Sequence, residues 1–227
     1  MSAIWKRAYL VRRNPGLPAE AFPARWRQHS ELGGTFPEIR ARHRKLNYCL
    51  VDHTAGALIG ADTTYDGIGM LWLSRPDLHN APIADRTAIP TMQADELKVF
   101  HQHAFASSVM LDEHVLGEDG TSSVALLTFV RRAAGMTRAD FAAAWMAAGA
   151  TVAAAMPATV RRHARGTVVL EPTADFDGLA ELWFDTTEDA VAAGNDAALR
   201  ATLAPPGLVE PAATMRLLSV VCHRRES

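Results

Sequence analysis

Residues 12–29 read RRNPGLPAEAFPARWRQH. The run before it, AYLVRR at residues 8–13, reads as the end of a strand. Pro15-Gly16 makes a turn, and a helix opens at Leu17-Pro18, where the missing N–H of proline would be unpaired anyway. Phe22 and Trp26 lie four apart and His29 follows three later, so the three share one helix face. The phrase returns at residues 131–148 as RRAAGMTRADFAAAWMAA. Arg12, Arg13, Gly16, Phe22, Ala24 and Trp26 recur as Arg131, Arg132, Gly135, Phe141, Ala143 and Trp145, whereas His29 recurs as Ala148. One copy keeps a titratable ring where the other has a methyl group.

The repetition continues downstream. Pro37, Arg42 and His43 match Pro157, Arg162 and His163 at a shift of about 120. Asp66-Gly67 and Leu71-Trp72 match Asp177-Gly178 and Leu182-Trp183 at a shift of about 111, consistent with a shorter loop in the second copy. Strands are expected at 4–13, 46–51, 68–74 and 106–116, with helices after Leu17 and over 93–103. The second copy gives strands at 124–132, 167–170, 179–184 and 213–223, with helices at 137–155 and 186–203. Residues 75–90 receive no assignment.

Each copy therefore reads β-α-β-β-α-β, the order of a ferredoxin-like unit. Such a unit has helices on one sheet face only, and its other, apolar face needs a cover. Two units in one chain can cover each other. The expectation is an α+β fold in which two tandem ferredoxin-like units close into an intramolecular pseudo-dimeric α/β barrel. The boundary falls in the Gly- and acid-bounded segment 117–120, giving units 1–117 and 118–227.

The 227 residues carry a formal charge of −2, which does not suit a nucleic-acid-binding face. The arginine runs 40–45 and 161–165 are short and read as solvated or ion-paired surface near helix ends. Two cysteines, Cys49 and Cys222, support neither a disulfide framework nor a cysteine zinc site. The opening MSAIWKRAYL lacks the apolar core of a signal peptide, and the alanine-rich stretch 142–160 is too weakly apolar for a membrane span. A cytoplasmic protein is expected, with no nucleic-acid or membrane partner. A homodimer is neither required nor forbidden, since duplication already closes the barrel.

These phrases resemble the EthD-like members of the dimeric α/β-barrel superfamily. The resemblance rests on Leu10-Val-Arg-Arg13, Pro15-Gly16-Leu17, Phe22, Trp26 and His29, then on Tyr65-Asp-Gly67 and Phe176-Asp-Gly-Leu-Ala-Glu-Leu-Trp-Phe184. It covers nearly the whole chain and implies the barrel fold, with the second unit as a degenerate copy. It fixes no reaction, because the superfamily holds cofactor-free cyclases, isomerases, lyases and monooxygenases, together with haem enzymes and proteins without known activity.

His29 is the first candidate for chemistry, because an imidazole titrating near neutrality suits a general base. The alternative is a helix-end histidine interacting with the helix dipole. Tyr65 stands where the second copy has Phe176, and Tyr48 where the repeat places Val168, so the fold demands neither hydroxyl. A phenol facing a dry cavity could steady an enolate. Trp26, Phe22, Tyr9 and Arg12 complete the expected substrate contacts, although Arg12-Arg13 recurs as Arg131-Arg132 and could serve strand-end ion pairs.

The expected function is a cofactor-independent lyase, isomerase or cyclase, moving a proton next to a carbonyl of a small apolar or aromatic substrate. No metal and no cofactor are expected. A second possibility is a non-catalytic binding or accessory protein of a degradation pathway. A third is a haem- or oxygen-dependent oxidoreductase ligated by His101, His103 or His114.

Overall fold

The first half lays down β1 (Trp5–Val11), α1 (Phe22–Gly34), α2 (Pro37–Arg42), β2 (His43–Val51), β3 (Gly67–Leu73), α3 (Ala88–Val99) and β4 (Ser108–Glu118). The second lays down β5 (Val124–Val130), α4 (Arg138–Ala153), β6 (Arg162–Val168), β7 (Gly178–Phe184), α5 (Thr187–Asn195), α6 (Ala197–Leu203) and β8 (Met215–Glu226). This computed structural model describes residues 4–53, 57–118, 121–153, 156–170 and 175–226. None of its helices is long and apolar enough to cross a membrane.

Eight strands close in the order β1-β3-β2-β8-β5-β7-β6-β4. Within each half the order is that of a ferredoxin-like sheet. The last strand of each half pairs with the second strand of the other, β8 on β2 and β4 on β6. Closure leaves no free sheet edge. The fold expected from the repeat is therefore the fold observed.

Several boundaries differ from expectation. Helix α3 begins at Ala88 rather than Gln93, with Pro90 in its first turn, where a proline is tolerated. The expected helix 186–203 is two helices. Asp196 adopts an extended conformation between them, and its carboxylate accepts from Leu199 N at 2.7 Å to start α6. Strand β6 starts at Arg162, five residues before the expected Thr167.

Strand alternation sends Ala8, Leu10, Cys49, Ile68, Met70, Leu111, Leu127, Phe129 and Leu217 into the barrel, where residues of both halves make one apolar core. Towards one end this core gives way to buried charge. Lys6 Nζ lies 2.5 Å from Glu113 Oε1 and also contacts Glu181. Arg162 reaches both carboxylates, at 3.0 and 3.3 Å. The indoles of Trp72 and Trp183 donate to Glu113 and Glu181 at 2.7 and 3.1 Å. Two cations thus balance two anions. Although burial works against it, the Glu113 carboxyl is held down to about 2 by Lys6, Arg162 and the Trp72 indole. The run 161–165 is accordingly not simple surface: Arg162 is largely buried and Arg165 wholly so.

Pairing also corrects the repeat register. Tyr48 pairs with Gly69, and Arg165 pairs with Ala180, the repeat partner of Gly69. Tyr48 is therefore equivalent to Arg165, not to Val168. By the same ladders His163, paired with Leu182, occupies the place of Leu46, paired with Leu71, and not that of His43.

Candidate functional site

Helices α1, α2 and α3 cover the outer face of the first-half sheet but do not fill the space beneath them. A cavity of about 490 Å³ remains, floored by Tyr9, Leu46, Tyr48 and Leu71 and roofed by His29, Gly33, Met92 and Gln93. That volume suits a small organic ligand.

Three strands build the floor. Tyr9 of β1 and Tyr48 of β2 both pair with Gly69 of β3, so the two phenols stand either side of a glycine. A Cβ at Gly69 would collide with the Tyr9 ring and hydroxyl, so only glycine lets that phenol lie across β3. Trp26 stacks on Tyr48 with ring centroids 4.5 Å apart and planes 9° apart, and Phe22 stacks behind it at 5.2 Å. Both phenols are buried, which raises them above the ordinary tyrosine range. Tyr48 adds to the rise at Tyr9, whereas Ser30 and Tyr9 moderate it at Tyr48. Both hydroxyls remain protonated donors at neutral pH.

The roof carries an imidazole. His29 is buried, its Nδ1 lies 2.9 Å from Asp95 Oδ2 of α3, and its ring edge meets Phe100 at 5.9 Å. Asp95 is also paired with Arg25, one turn before His29 on α1. Burial would raise Asp95, but hydrogen bonds from Arg25 and His29 outweigh it, and the carboxyl lies below its usual value. An ionised Asp95 demands a proton on Nδ1. The other ring nitrogen, Nε2, is then the basic one.

The structure thus brings together His29, Tyr9 and Tyr48. Trp26 and Phe22 support the floor from behind. Tyr65 and Arg12 lie elsewhere: Arg12 sits over the Tyr65 ring at 5.8 Å, and Tyr65 packs against the barrel interior. Both follow from topology. The end of β1 meets the start of β3, so Arg12 and Tyr65 share the barrel end away from Arg7 and Leu73. The Arg13 N–H donates to Asp66 at 2.8 Å and the Arg132 N–H to Asp177 at 3.0 Å, so these acids tie strand ends in both halves. His101, His103 and His114 do not line the cavity; His103 is bound to Glu96 at 2.8 Å, and His114 lies 3.5 Å from Asp112. Among the described residues no three His, Cys, Asp or Glu side chains group as metal ligands. Asp95 is the site residue that the sequence left unnoticed, because it is 66 positions from His29 and belongs to no local motif.

The family model that matches the chain describes the EthD domain and covers residues 133–206. Residues 133–206 resemble an EthD domain. The match falls in the second half, the copy expected to be degenerate. Solved structures extend the likeness to the whole barrel. A candidate monooxygenase from Fusobacterium nucleatum subsp. nucleatum superposes with a TM-score of 0.61 at 8% identity, over 100% of this chain and 95% of its own. An anthrone oxidase-like protein gives 0.58 at 10% identity, over 100% and 94%. A chlorite dismutase variant from Candidatus Nitrospira defluvii gives 0.52 at 12% identity, over 97% and 91%. At such identities the likeness is one of fold. No curated protein sequence matches the chain.

Proposed function

We propose that this protein is an enzyme that removes a proton next to a carbonyl of a small, largely apolar or aromatic compound held in the first-half cavity. The observation that carries this reading is the Asp95–His29 pair set into the roof of a cavity whose floor presents two protonated phenols. His29 Nε2 takes the proton, and Asp95, itself fixed by Arg25, stabilises the imidazolium that forms. Tyr9 and Tyr48 donate to the oxygen on which negative charge develops. The enolate then partitions towards isomerisation, cyclisation or bond cleavage according to its substituents.

The test is hydrogen–deuterium exchange at the α-carbon of a panel of aromatic ketones and 1,3-dicarbonyl compounds in D2O, followed by proton NMR. The wild-type protein should accelerate exchange for a compound that binds, and His29→Ala should lose roughly 10²- to 10⁴-fold of the rate. Equal exchange with and without His29 contradicts the assignment. Tight binding with no exchange in the wild type supports an accessory binding protein instead.

A second reading is supported by two of the structural relatives, one named as a candidate monooxygenase and one as anthrone oxidase-like. The same deprotonation produces an electron-rich carbanion that dioxygen can oxidise. Oxygen uptake that requires both a bound compound and His29 would favour it over simple isomerisation.

A further inference from the structure

The charge around the cavity is one-sided. Arg7, Arg42 and Arg225 line it, and Glu96 is the carboxylate among its lining residues. Glu96 is already held by His103 Nδ1 at 2.8 Å. Arg42 is occupied with the backbone oxygens of Leu78, at 3.0 Å, and Ala81. Arg7 is different. Its guanidinium lies between the rings of Tyr9 and Phe105, at 5.7 and 5.8 Å, with no carboxylate at ion-pair distance among the described residues. Arg225, at the end of β8, likewise has no acidic partner among them.

Elsewhere the chain holds cations with carboxylates, as Lys6 and Arg162 on two glutamates, Arg132 on Asp177 and Arg25 on Asp95, or with backbone oxygens, as Arg165 and Arg216. Arg7 has neither among the described residues. Removing a guanidinium from water without an anion is costly, so the cavity favours a ligand that brings one. The neighbouring histidines do not weaken the field. His43 is pushed down to about 4, by burial first and then by Arg7, Arg225 and Arg42, against the backbone of Ile39. His79 is lowered too, by burial, Arg7 and Arg42. Neither supplies negative charge, and both are neutral at pH 7. Leu73, Ile83, Met92 and Met110 add apolar wall, and Ser30, Asn80 and Gln93 are uncharged polar groups in the lining.

We infer that the ligand of this cavity is an organic carboxylate on an apolar, ring-bearing body, with Arg7 as the residue that binds the carboxylate and Arg225 as a second donor at the mouth. Arg12, the arginine that the sequence suggested for such contact, has no access to this cavity. Arg7, five residues earlier on β1, does. The inference rests on the reading of the cavity as the ligand site, but not on the chemistry assigned to His29.

The test compares two isosteric probes, 2-naphthoate and 2-naphthamide, by isothermal titration calorimetry at pH 7.5. Wild-type protein should bind the carboxylate roughly ten- to a hundredfold more tightly than the amide, the size of one charge-assisted contact. Arg7→Gln should bring the two probes close to parity with little change for the amide. Arg7→Lys should keep part of the preference, and His29→Ala most of it. Added salt should weaken the carboxylate and spare the amide. Equal affinities in the wild type, or a preference that survives Arg7→Gln, would overturn the carboxylate inference while leaving the cavity reading intact. Failure of both probes to bind the wild type would overturn both. Should Arg7→Gln fold poorly, the wild-type ratio and Arg7→Lys still decide.

Discussion

Across three neighbouring strands the first half reads Tyr9–Gly69–Tyr48 and the second half reads Thr128–Ala180–Arg165. The stacked aromatic pair beside each triplet is shared. Phe22 stacks on Trp26 as Phe141 stacks on Trp145, at 5.2 and 5.6 Å. Yet the first half encloses the cavity, whereas Arg165 fills the corresponding place in the second. In the second half Arg165 lies over Trp145 at 4.2 Å and donates to the backbone oxygens of Trp145 and Thr202 at 2.9 and 2.8 Å. Burial draws this guanidinium down to about 10. Gly149 of α4 admits it, because a Cβ there would come within 2.7 Å of Arg165 Cδ. The repeat places Ser30 at the equivalent point, beside Tyr48. The first half thus spends its glycine on the sheet, to lay a phenol flat. The second spends it on the helix, to seat an arginine. On the same strand scaffold, the layer between sheet and helices is left open in one half and filled in the other by a few side chains and by the helices laid over them.

The largest effect expected from breaking this comparison is at the plug itself. Arg165→Ala should cost roughly 2–5 kcal/mol, since it empties volume and removes the hydrogen bonds to the backbone oxygens of Trp145 and Thr202. Urea denaturation measures it, and an unchanged midpoint would mean that Arg165 is not a core residue.

Next comes an acid sensitivity that belongs to the second half. His163 is buried where the first half has Leu46, and burial, then Arg165 and Arg162, hold it down to about 4 from 6.5. Between those values the unfolded chain binds more protons than the folded one, so stability is full above pH 6.5 and falls as pH drops towards 4. The loss is roughly 3 kcal/mol. His163→Leu should flatten this part of the stability–pH curve, leaving the share due to His43. A profile with undiminished slope would refute the assignment. Below this window Glu113 takes over: its lowered value means that its contribution is present above about 4.5 and is lost as pH falls towards 2.

Smaller still is the glycine exchange. Gly69→Ala should cost roughly 1–3 kcal/mol and displace Tyr9, with a loss of ligand affinity. The reciprocal Ala180→Gly should cost only about 0.5–1 kcal/mol. Equal costs would show that the two sheet positions carry no different burden.

Much of this was legible in the chain. The repeated phrase at residues 12–29 and 131–148 yields the two units and their paired tryptophans, and the replacement of His29 by Ala148 already marks the halves as unequal. The equivalent of Tyr48 was misplaced because helix α2 feeds β2 directly, whereas residues 156–161 reach β6 without a helix. A helical residue advances about 1.5 Å and an extended one about 3.3 Å, so the same span takes different residue counts and the register slips. Arg12 and Tyr65 were favoured for their place in a conspicuous phrase, but antiparallel pairing carries both to the barrel end away from the cavity. Asp95, Arg7 and the Lys6 network depend on contacts between distant segments and left no local signal.

If one half binds ligand and the other is filled, the paired tryptophans report it directly. Indole 1H–15N NMR resolves five tryptophans, of which Trp26 lies behind the floor of the cavity and Trp145 behind the plug. During titration with 2-naphthoate the Trp26 signal should shift and saturate while the Trp145 signal stays in place. A saturating shift at Trp145 with Trp26 unmoved would put the ligand in the wrong half and contradict the account.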